Sequence, residues 1–294
     1  MKTEFNISDL TPDSASINNL IETVKGQIDI QATPEIFKTI FSLIDLTTLN
    51  TTDTEEKVAR LCSRVNSFEE KVSGVPNVAA ICVYPNFIKL VRQNLLIKGV
   101  GVVSVAAGFP SSQTFLDIKL KEVSMAVDQG ATEIDTVMPL GLFLAGDTKA
   151  VSDEIGSIKN IAGKATLKII LETGAIPDHE MVMRAAFICM EAGADFIKTS
   201  TGKLSPAATP EAFLVMALAI KTYFETTGKK IGIKPAGGIA TPEDALLYYG
   251  IVNEVLGHDW LNNSLFRIGA SRLANNLLDK ILGASGHLIG QDYF

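Results

Sequence analysis

Two lysines at the ends of short apolar segments are the side chains best placed to do chemistry. Lys198 ends the segment DFIK (195–198) and is followed by TSTGK, whereas Lys234 ends IGIK (231–234) and is followed by PAGG. A lysine at the end of a buried strand places an amine at the mouth of a barrel or sheet, where burial and a second cation lower its pKa. Such an amine is a nucleophile toward carbonyl compounds.

Each lysine also has a simpler interpretation. A strand-terminal lysine such as Lys198 is often a surface residue whose long stem carries its charge to water, although the small and polar residues after it leave room for a ligand. Lys234 could pair with an acid such as Asp45, and that pairing would not stop it from tuning Lys198. If the two ammonium groups lie on neighbouring strands, each lowers the pKa of the other, and one becomes a free amine near neutral pH.

Eight apolar, β-rich segments alternate with helical patterns, which predicts an α/β protein with a parallel sheet. The segments are Leu43–Leu46, Val78–Tyr84, Val100–Ala107, Glu133–Met138, Leu167–Glu172, Phe196–Thr199, Ile231–Lys234 and Phe266–Ile268. Eight strands favour a (β/α)8 TIM barrel over residues 41–294, including a C-terminal tail, rather than an open doubly wound sheet, which more often has about five or six strands.

Residues 1–40 stand outside this pattern and are predicted to form a helical N-terminal extension. An amphipathic helix is expected over Ile17–Ile28, and Pro34–Phe41 is expected to cover the bottom of the barrel. No chemistry is assigned to this extension.

Two helix-to-strand junctions repeat each other and place Asp135 in the same register as Lys198. The repeats are GATEIDT (130–136) and GADFIKT (193–199), before the fourth and sixth strands. In a closed barrel, alternate strands contribute to a common interior layer, so the carboxylate and the amine are expected to face one cavity. Together they would form a proton-transfer pair.

Glycine-rich loops follow the seventh and eighth predicted strands. Gly237 and Gly238 follow one strand, and Gly269 and Ser271 flank Ala270 after the other. These loops often bind phosphate in barrels, through exposed backbone N–H groups and helix N-termini, although glycines also serve plain turns.

Composition excludes several function classes. The chain has 294 residues with a formal net charge of −7 and a pI near 5.1, so electrostatic binding to nucleic acid or anionic lipid is not expected. No signal peptide or spanning apolar segment is recognisable, and three cysteines without a CxxC pattern fit a cytoplasmic protein. The histidines His179, His258 and His287 share no ligand spacing, so neither a metal nor another cofactor is expected.

The lysine motifs, taken with four others, resemble the deoxyribose-phosphate aldolase family, which forms a Schiff base in a (β/α)8 barrel. The resemblance covers about residues 42–282. The motifs are LIDLTTLN (43–50), AICVYP (80–85), EID (133–135), FIKTSTGK (196–203), KPAGG (234–238) and RIGAS (267–271).

The resemblance implies a role for each matching residue. Lys198 matches the Schiff-base lysine, Lys234 the lysine that lowers its pKa, Asp135 the acid–base carboxylate and Asp45 an aspartate beside the second lysine. The remaining candidates for substrate and phosphate binding are Cys82, Thr201, Gly202, Lys203, Gly237, Gly238, Gly269, Ser271 and Arg272. Cys82 could instead be a small apolar residue of the interior.

The implied reaction is the reversible, metal-independent cleavage of 2-deoxy-D-ribose 5-phosphate to D-glyceraldehyde 3-phosphate and acetaldehyde. The implied partners are small phosphosugars and aldehydes, and the implied assembly is a homodimer.

This chain departs from the family pattern at the phosphate end. Ala240 stands where some members have arginine, and Arg272 stands where some have a small residue, so we hypothesise that Arg272 supplies the missing cation. In some relatives a terminal tyrosine reaches the pocket, which makes Tyr293 a candidate proton relay.

Two other functions are compatible with the same barrel. One is an epimerase, isomerase or synthase acting on another phosphosugar, with Lys198 as an acid or base. The other is a phosphosugar-binding or regulatory protein, although such a protein has little need for a lysine with a lowered pKa.

Overall fold

Eight parallel strands form the centre of the molecule, as the alternating pattern predicts. The computed structural model describes residues 7–283 and 293–294. The strands are β1 (Ile44–Thr47), β2 (Ala80–Val83), β3 (Gly101–Ala106), β4 (Glu133–Val137), β5 (Thr166–Ile170), β6 (Phe196–Lys198), β7 (Gly232–Lys234) and β8 (Ile268–Ala270). The last strand begins two residues later than predicted, because Phe266 makes only an isolated bridge to Ile233.

The strands close into a barrel. Consecutive strands pair in parallel from β1 to β7, and β8 pairs with β1. Between β7 and β8 the closure rests on two isolated parallel bridges, Ile233 with Phe266 and Ala236 with Gly269. The prediction of a (β/α)8 barrel is therefore confirmed. The fewest paired residues lie between β7 and β8.

From residue 7 onward, where the described structure begins, four helices precede the barrel: α1 (Ile7–Leu10), α2 (Ser14–Lys25), α3 (Ile28–Gln31) and α4 (Pro34–Ser42). The amphipathic helix ends earlier than predicted, with Gly26 at its C-cap. Its buried residues, Ile17, Ile21 and Val24, belong to the same apolar cluster as the barrel's own core. The helix α4 packs against the helices Pro242–Leu256 and Leu273–Leu282. The division into an extension and a catalytic domain stays a prediction.

Ten further helices follow in the described part of the chain. They are α5 (Glu55–Asn66), α6 (Phe68–Lys71), α7 (Ile88–Asn94), α8 (Leu116–Asp128), α9 (Leu140–Leu144), α10 (Thr148–Ala162), α11 (His179–Glu191), α12 (Pro210–Thr227), α13 (Pro242–Leu256) and α14 (Leu273–Leu282). Short 3-10 turns lie at Pro85–Phe87, Thr173–Ala175 and His258–Trp260. Thr209 and Thr241 cap α12 and α13 ahead of an N1 proline, as their sequences predict.

Side chains alternate across the barrel wall, which determines where the chemistry lies. Residues such as Ile134 and Ile197 point outward and are fully buried against the helices. At the alternate positions of β4, β5 and β7, Asp135, Lys168 and Lys234 point inward and are also fully buried. The main apolar core therefore lies between strands and helices, while the barrel interior contains a set of buried charges beside a small apolar cluster.

The residues that the structure describes include no helix long and apolar enough to cross a bilayer.

Candidate active site

Six charged side chains form a closed ring inside the barrel, in which cations and carboxylates alternate. We call this set the interior ring; in order around it are Lys234, Asp45, Arg267, Glu133, Lys168 and Asp135. Three cations face three carboxylates, so the ring is formally neutral. Parallel barrel strands are buried on both faces, and a charge inside them must be paired there.

The upper part of the ring joins β1, β4 and β7. Lys234 Nζ lies 2.5 Å from Asp45 Oδ2 and 2.7 Å from Asp135 Oδ2. Asp135 Oδ1 accepts a hydrogen bond of 2.9 Å from Lys168 on β5. Both oxygens of Asp135 are therefore occupied by ammonium groups.

The lower part of the ring is held by Arg267, which immediately precedes β8. Its Nη1 donates to Asp45 Oδ1 at 2.6 Å, and its Nη2 donates to Glu133 Oε1 at 2.9 Å. Glu133 also pairs with Lys168. Glu133 precedes Asp135 by two residues on β4, so this part lies one inward-facing position closer to the amino ends of the strands.

Lys198 is a seventh charged group attached to this neutral ring. Its Nζ donates to Asp135 Oδ2 at 2.8 Å, so the proximity expected from the repeated junctions is present. Lys198 is paired in register with Lys234 on the neighbouring strand. It is 3% exposed, whereas Lys234 is fully buried, and it is the lysine of the pair that lines the cavity above.

The environment separates the pKa values of these two lysines. Burial lowers the pKa of Lys198 below the ordinary lysine value, Asp135 opposes that shift, and Lys234 reinforces it. Burial also disfavours the charged form of Lys234, but Asp135 and Asp45 outweigh burial and raise its pKa. Lys234 therefore lowers the pKa of Lys198 as expected, whereas the pKa of Lys234 itself is raised because two carboxylates contact it.

The carboxylates remain ionised for the same reason. Burial alone would raise the pKa of Asp135, but Lys168, Lys198 and Lys234 together hold it well below the usual aspartate value. The pKa of Asp45 is likewise lowered, because Lys234, Arg267 and Lys168 outweigh burial. At rest Asp135 is therefore a carboxylate and Lys234 an ammonium group.

A cavity of about 680 Å³ opens above Lys198 at the carboxyl ends of the strands. Most of the predicted binding residues line it, namely Thr201, Gly202, Lys203, Gly237, Gly238, Gly269, Ser271 and Arg272. The predicted residues Asp45, Cys82, Asp135 and Lys234 are not part of this lining and are fully buried. The structure thus separates the predicted site into a buried charged set and a cavity wall.

Cys82 on β2 lies in a small apolar cluster inside the barrel, with Leu49, Ala80, Val103 and Val105. Burial raises the pKa of its thiol to about 11, and the Asp135 carboxylate adds to that shift. A fully buried thiol in these surroundings matches its interpretation as a small apolar residue rather than a group that binds substrate.

The predicted phosphate loops have structural reasons for their glycines. Gly237 has a φ of +84°, and a Cβ there would lie 2.7 Å from Ala207 Cβ and 3.0 Å from Gly202 Cα. A Cβ at Gly269 would lie 3.2 Å from Lys234 Cε and 2.8 Å from Ala236 Cβ. The glycines therefore let two loops approach each other and leave space for the second lysine, whether or not they also face a phosphate.

Glu172 positions the loop that follows Lys198. Its carboxylate accepts hydrogen bonds from the Thr201 backbone N–H at 3.1 Å and from Thr201 Oγ1 at 2.6 Å. The hydroxyl of Thr201 accepts from the backbone N–H of Lys203 at 3.0 Å. Glu172 itself has a φ of +56°, a left-handed conformation that costs a residue other than glycine about 1–2 kcal/mol.

The outer wall of the cavity carries several cations, which we call the cationic rim. They are Lys57, Arg60 and Arg64 of α5, together with Lys203 and Arg272. Lys57 pairs with Asp53 and Arg60 with Glu56, both within one helical turn. Arg272 stands at the N-cap of α14, where the structure leaves it exposed at the cavity wall. The contribution of α5 to this wall was not predicted.

The last two residues join α5 to α14 at the edge of the cavity. The Tyr293 hydroxyl donates to the Arg64 carbonyl at 2.9 Å, and its ring packs against Phe68. Phe294 exchanges hydrogen bonds with Asn275 and lines the cavity. In the described residues the candidate relay Tyr293 is therefore bonded to α5 and not to Lys198.

No group of three or more His, Cys, Asp and Glu side chains suited to a metal occurs within residues 7–283 and 293–294. His179 begins α11 and His258 begins a 3-10 turn, whereas His287 lies outside the described residues.

Sequence reasoning missed three members of the interior ring, Lys168, Glu133 and Arg267. A signal was present, because each interrupts an apolar segment that the barrel prediction makes a buried strand or its immediate neighbour. A charge at an inward-facing position of such a strand requires a partner on another strand.

Comparison with known proteins agrees with this geometry. Residues 39–249 match the family described as DeoC/LacD family aldolase. Deoxyribose-phosphate aldolase from Homo sapiens is 44% identical over 246 residues, covering 80% of this chain and 77% of the relative. The same-named enzyme from Bos taurus is 43% identical over 240 residues, covering 78% of this chain and 76% of the relative.

A solved structure described as a "unique tetrameric structure of deoxyribose phosphate aldolase" from Aeropyrum pernix superposes with a TM-score of 0.66 at 27% identity. It covers 91% of this chain and 98% of its own. The fold, the paired lysines and these matches lead to one conclusion: the chain belongs to the DeoC/LacD family of aldolases.

Proposed function

We propose that this protein is a deoxyribose-phosphate aldolase that cleaves 2-deoxy-D-ribose 5-phosphate reversibly through a Schiff base on Lys198. The observation that carries the proposal is the position of Lys198, whose amine faces the cavity while its pKa is lowered by burial and by Lys234. The aldolase relatives carry the same name as the proposed activity.

The first step is attack of the neutral Lys198 Nζ on the C1 aldehyde carbon of the open-chain sugar. The N–C1 bond forms as the C=O π bond opens, the nitrogen loses one proton and the oxygen gains one, and a carbinolamine results. Loss of that oxygen as water leaves an iminium ion. Lys234 carries a proton, and the Asp135 carboxylate lies 2.7 Å from it and 2.8 Å from Lys198, so these two groups are placed to pass protons to and from the reacting atoms.

The iminium then withdraws the electron pair of the C2–C3 bond. As that bond breaks, the C3 hydroxyl loses its proton and becomes the aldehyde of glyceraldehyde 3-phosphate, while C1 and C2 remain on Lys198 as an enamine. Protonation at C2 and hydrolysis of the new iminium release acetaldehyde. Positioned acid–base groups such as Asp135 and Lys234 typically contribute about 10²–10⁴-fold to such steps.

The opposite end of the cavity is proposed to hold the phosphate. Lys203 and Arg272 supply positive charge there, and Arg272 takes the place of the cation that Ala240 cannot provide. The backbone of the Gly237–Gly238 loop and the start of α14 can add N–H donors. The rim cation Arg64, half-buried on α5, lies on the same wall and adds to its positive potential.

The proposed assembly is a homodimer. Its support is an exposed apolar area around the starts of α8 and α9, where Phe115 is 81% and Ile118 is 56% exposed and Leu142 and Leu144 are also exposed. An apolar surface of this kind is typical of association sites. Light scattering after size exclusion should give twice the chain mass, and Phe115→Lys with Ile118→Lys should give the monomer. A tetramer, as in the Aeropyrum pernix relative, would contradict the dimer.

The proposed location is the cytoplasm, and the proposed partners are small phosphosugars and aldehydes. The three buried free cysteines support this location, since they form no disulfide in the described structure. The net charge of −7 opposes binding to nucleic acid or to anionic membranes.

A turnover assay tests the function. The full chain is incubated with 2-deoxyribose 5-phosphate in the presence of a chelator, and both products are quantified. The proposal expects equal amounts of glyceraldehyde 3-phosphate and acetaldehyde, with no turnover in Lys198→Leu and full turnover in the control Lys121→Leu on the exposed face of α8.

Two results would contradict it. Formation of an isomeric sugar phosphate without acetaldehyde would indicate the isomerase or epimerase alternative. Binding of the sugar phosphate with no product of either kind would indicate a binding or regulatory protein.

A further inference from the structure

The lower part of the interior ring consists of three charged side chains, although it does not face the cavity above Lys198. Glu133, Lys168 and Arg267 are 6%, 0% and 8% exposed, and none of them lines the cavity above Lys198. Burying charges is costly even when they are paired, and apolar side chains of similar size are often as stable in such positions. A role other than stability would account for these charges.

Hydrogen bonds from this lower part reach the two carboxylates beside the lysine pair: Asp135, which contacts Lys198 and Lys234, and Asp45, which contacts Lys234. Arg267 occupies Asp45 Oδ1 at 2.6 Å, which leaves Asp45 Oδ2 for Lys234 at 2.5 Å. Lys168 occupies Asp135 Oδ1 at 2.9 Å, which leaves Asp135 Oδ2 for the other two lysines. Arg267 thus orients the Asp45 carboxylate, and Lys168 orients the Asp135 carboxylate.

The charge balance of the interior depends on the same residues. The ring contains three cations and three carboxylates, so it needs no proton change to be neutral. Lys198 is the one further cation attached to it in the described structure. If Lys198 loses a proton, every ion pair of the ring stays intact. If Lys168 or Lys234 lost one instead, two or more ion pairs of the ring would break.

We propose that Glu133 and Arg267 are positioning residues that keep the interior ring neutral and fully paired, so that Lys198 is the group that gives up its proton. They touch no substrate and act through Asp45, Asp135 and the two ring lysines. As an account of catalysis, this inference rests on the proposed aldolase function.

Every charged or titratable group around Lys198 enters this balance. Inside the barrel these are Asp45, Cys82, Glu133, Asp135, Lys168, Lys234 and Arg267. The third strand contributes only the apolar Val103 and Val105. Above Lys198 lie Glu172, Lys203, Arg272 and the cations of α5. Cys82 is held as a neutral thiol by burial, which raises its pKa to about 11.

The proposal predicts opposite effects from removing the two charges of one ion pair. Arg267→Gln leaves one excess negative charge in the ring, which favours protonated Lys198 and raises its pKa. Glu133→Gln leaves one excess positive charge, which favours the neutral amine and lowers that pKa. Each shift should be about one pH unit, which one charge at about 10 Å produces at an effective dielectric constant of about 20.

The experiment measures the free amine of Lys198 directly. The full chain is treated with isotopically labelled formaldehyde and cyanoborohydride across a pH series, and peptide mass spectrometry follows methylation of Lys198. The amine forms an iminium with formaldehyde, which the hydride reduces to an N-methyl group. At a pH below its pKa, Lys198 should react about tenfold more slowly in Arg267→Gln and about tenfold faster in Glu133→Gln. The double variant should return to the wild-type profile.

A matched control pair lies on the surface. Arg184 and Glu180 form an exposed ion pair on α11, with 3.2 Å between Arg184 Nη2 and Glu180 Oε1. Arg184→Gln and Glu180→Gln should leave the Lys198 profile unchanged. Shifts of the same sign in Arg267→Gln and Glu133→Gln, or no shift in either, would overturn the proposal, because a purely structural pair gives no opposite displacement.

A second measurement, on the wild-type protein, tests the proposal if circular dichroism shows that Arg267→Gln or Glu133→Gln does not fold. In the wild-type protein, labelled-lysine NMR signals assigned from Lys168→Met and Lys234→Met should stay in the ammonium form through the pH range in which Lys198 titrates. Titration of either ring lysine before Lys198 would overturn the proposal. Neither readout needs turnover, so opposite shifts in a protein that does not cleave deoxyribose 5-phosphate would reject the aldolase function and retain this inference.

Discussion

The barrel interior and the mouth of the cavity both carry cations, but they hold them in opposite ways. Inside, Lys168, Lys234 and Arg267 are buried and paired with carboxylates on other strands. At the mouth, Lys203 and Arg272 are exposed, and no Asp or Glu is among the described residues that line the cavity. The interior charges pair with one another across strands, whereas Lys203 contacts the Leu49 carbonyl and Arg272 faces solvent, so these two rim cations are placed to meet an anionic ligand.

This difference separates two tasks. Fixed, desolvated charges act strongly on a neighbouring proton equilibrium, because the surrounding dielectric is low. Exposed cations are screened by solvent and salt, and they suit a multiply charged phosphate that arrives from water. Changes in the interior should therefore alter the chemical step, and changes at the rim should alter substrate binding.

The largest expected effect comes from Asp135→Asn, because this change removes the only anion that Lys198 contacts within the described structure. We expect kcat to fall by about 10²–10⁴-fold, as for loss of a positioned acid–base group. The free energy of unfolding should fall by about 3–5 kcal/mol, because partnered lysines are left with an uncompensated charge in the interior. Steady-state kinetics and urea unfolding measure both.

The matched control is Asp153→Asn, which breaks the exposed pair with Lys149. That variant should lose no more than about 1 kcal/mol and no activity. Equal losses in the two variants would contradict the distinction between the interior and the surface.

The next effect is the pH dependence of Schiff-base formation. Because the pKa of Lys198 is lowered, its neutral form persists to a pH below that expected for an ordinary lysine of pKa about 10.4. Below the Lys198 pKa, the rate should fall about tenfold for each pH unit, since the free-amine fraction falls by that factor. Stopped-flow measurement with acetaldehyde gives the midpoint. A midpoint at or above the ordinary lysine value would show that burial and Lys234 do not act as described.

The low pKa values of Asp45 and Asp135 fix the sign of the stability change in acid. Their folded-state pKa values lie below the unfolded value of about 3.9, so their contribution is present above that pH and is lost as the pH falls through the folded-state values. Acid unfolding followed by circular dichroism should begin below about pH 4 in the wild type. Onset near neutral pH would contradict the depressed pKa values of these two carboxylates.

A smaller and different effect is expected at the rim. Arg272→Ala should raise KM for 2-deoxyribose 5-phosphate by about 10–100-fold, as for a lost hydrogen bond to a charged group, with little change in kcat. Unphosphorylated 2-deoxyribose should be turned over as by the wild type. The control is Arg184→Ala on the exposed face of α11, which should leave both constants unchanged. An unaltered KM in Arg272→Ala would refute its assignment to the phosphate end.

The smallest effect is expected from Tyr293→Phe. The Tyr293 hydroxyl donates to the Arg64 carbonyl, so its loss should cost about 0.5–1.5 kcal/mol of stability. Hydrogen–deuterium exchange at the methyl group of acetaldehyde, followed by NMR, should keep the wild-type rate. A large fall in that exchange would restore Tyr293 as a proton relay and would place it closer to the chemistry than the structure does.

The sequence predicted the site residues that lie in a repeated motif or at the end of a strand, such as Asp135, Lys198 and Lys234. The matching junctions before β4 and β6 placed Asp135 opposite Lys198, and the structure has these groups in contact. It did not reveal Arg267, which sits between Phe266 and Ile268 and became meaningful only once its partners on β1 and β4 were known. Pairing across distant strands is a property of the closed barrel and not of any local pattern.

Other features escaped prediction for different physical reasons. The left-handed conformation of Glu172 is rare for glutamate, and nothing in its neighbours indicates it. The contribution of α5 to the cavity wall depends on how far Arg60 and Arg64 extend over the loop after β1, which helical periodicity does not specify. The end of the chain was predicted to act through Tyr293, yet Phe294 is the residue that lines the cavity.

Borohydride trapping tests the central claim most directly. The protein is mixed with acetaldehyde or with 2-deoxyribose 5-phosphate, reduced, digested and examined by peptide mass spectrometry. The account predicts a reduced two-carbon adduct on Lys198, absent from Lys198→Leu, with Lys168 and Lys234 unmodified. An adduct on Lys234, or no adduct on any lysine of a protein that still turns the sugar over, would contradict the assignment of Lys198 as the Schiff-base lysine.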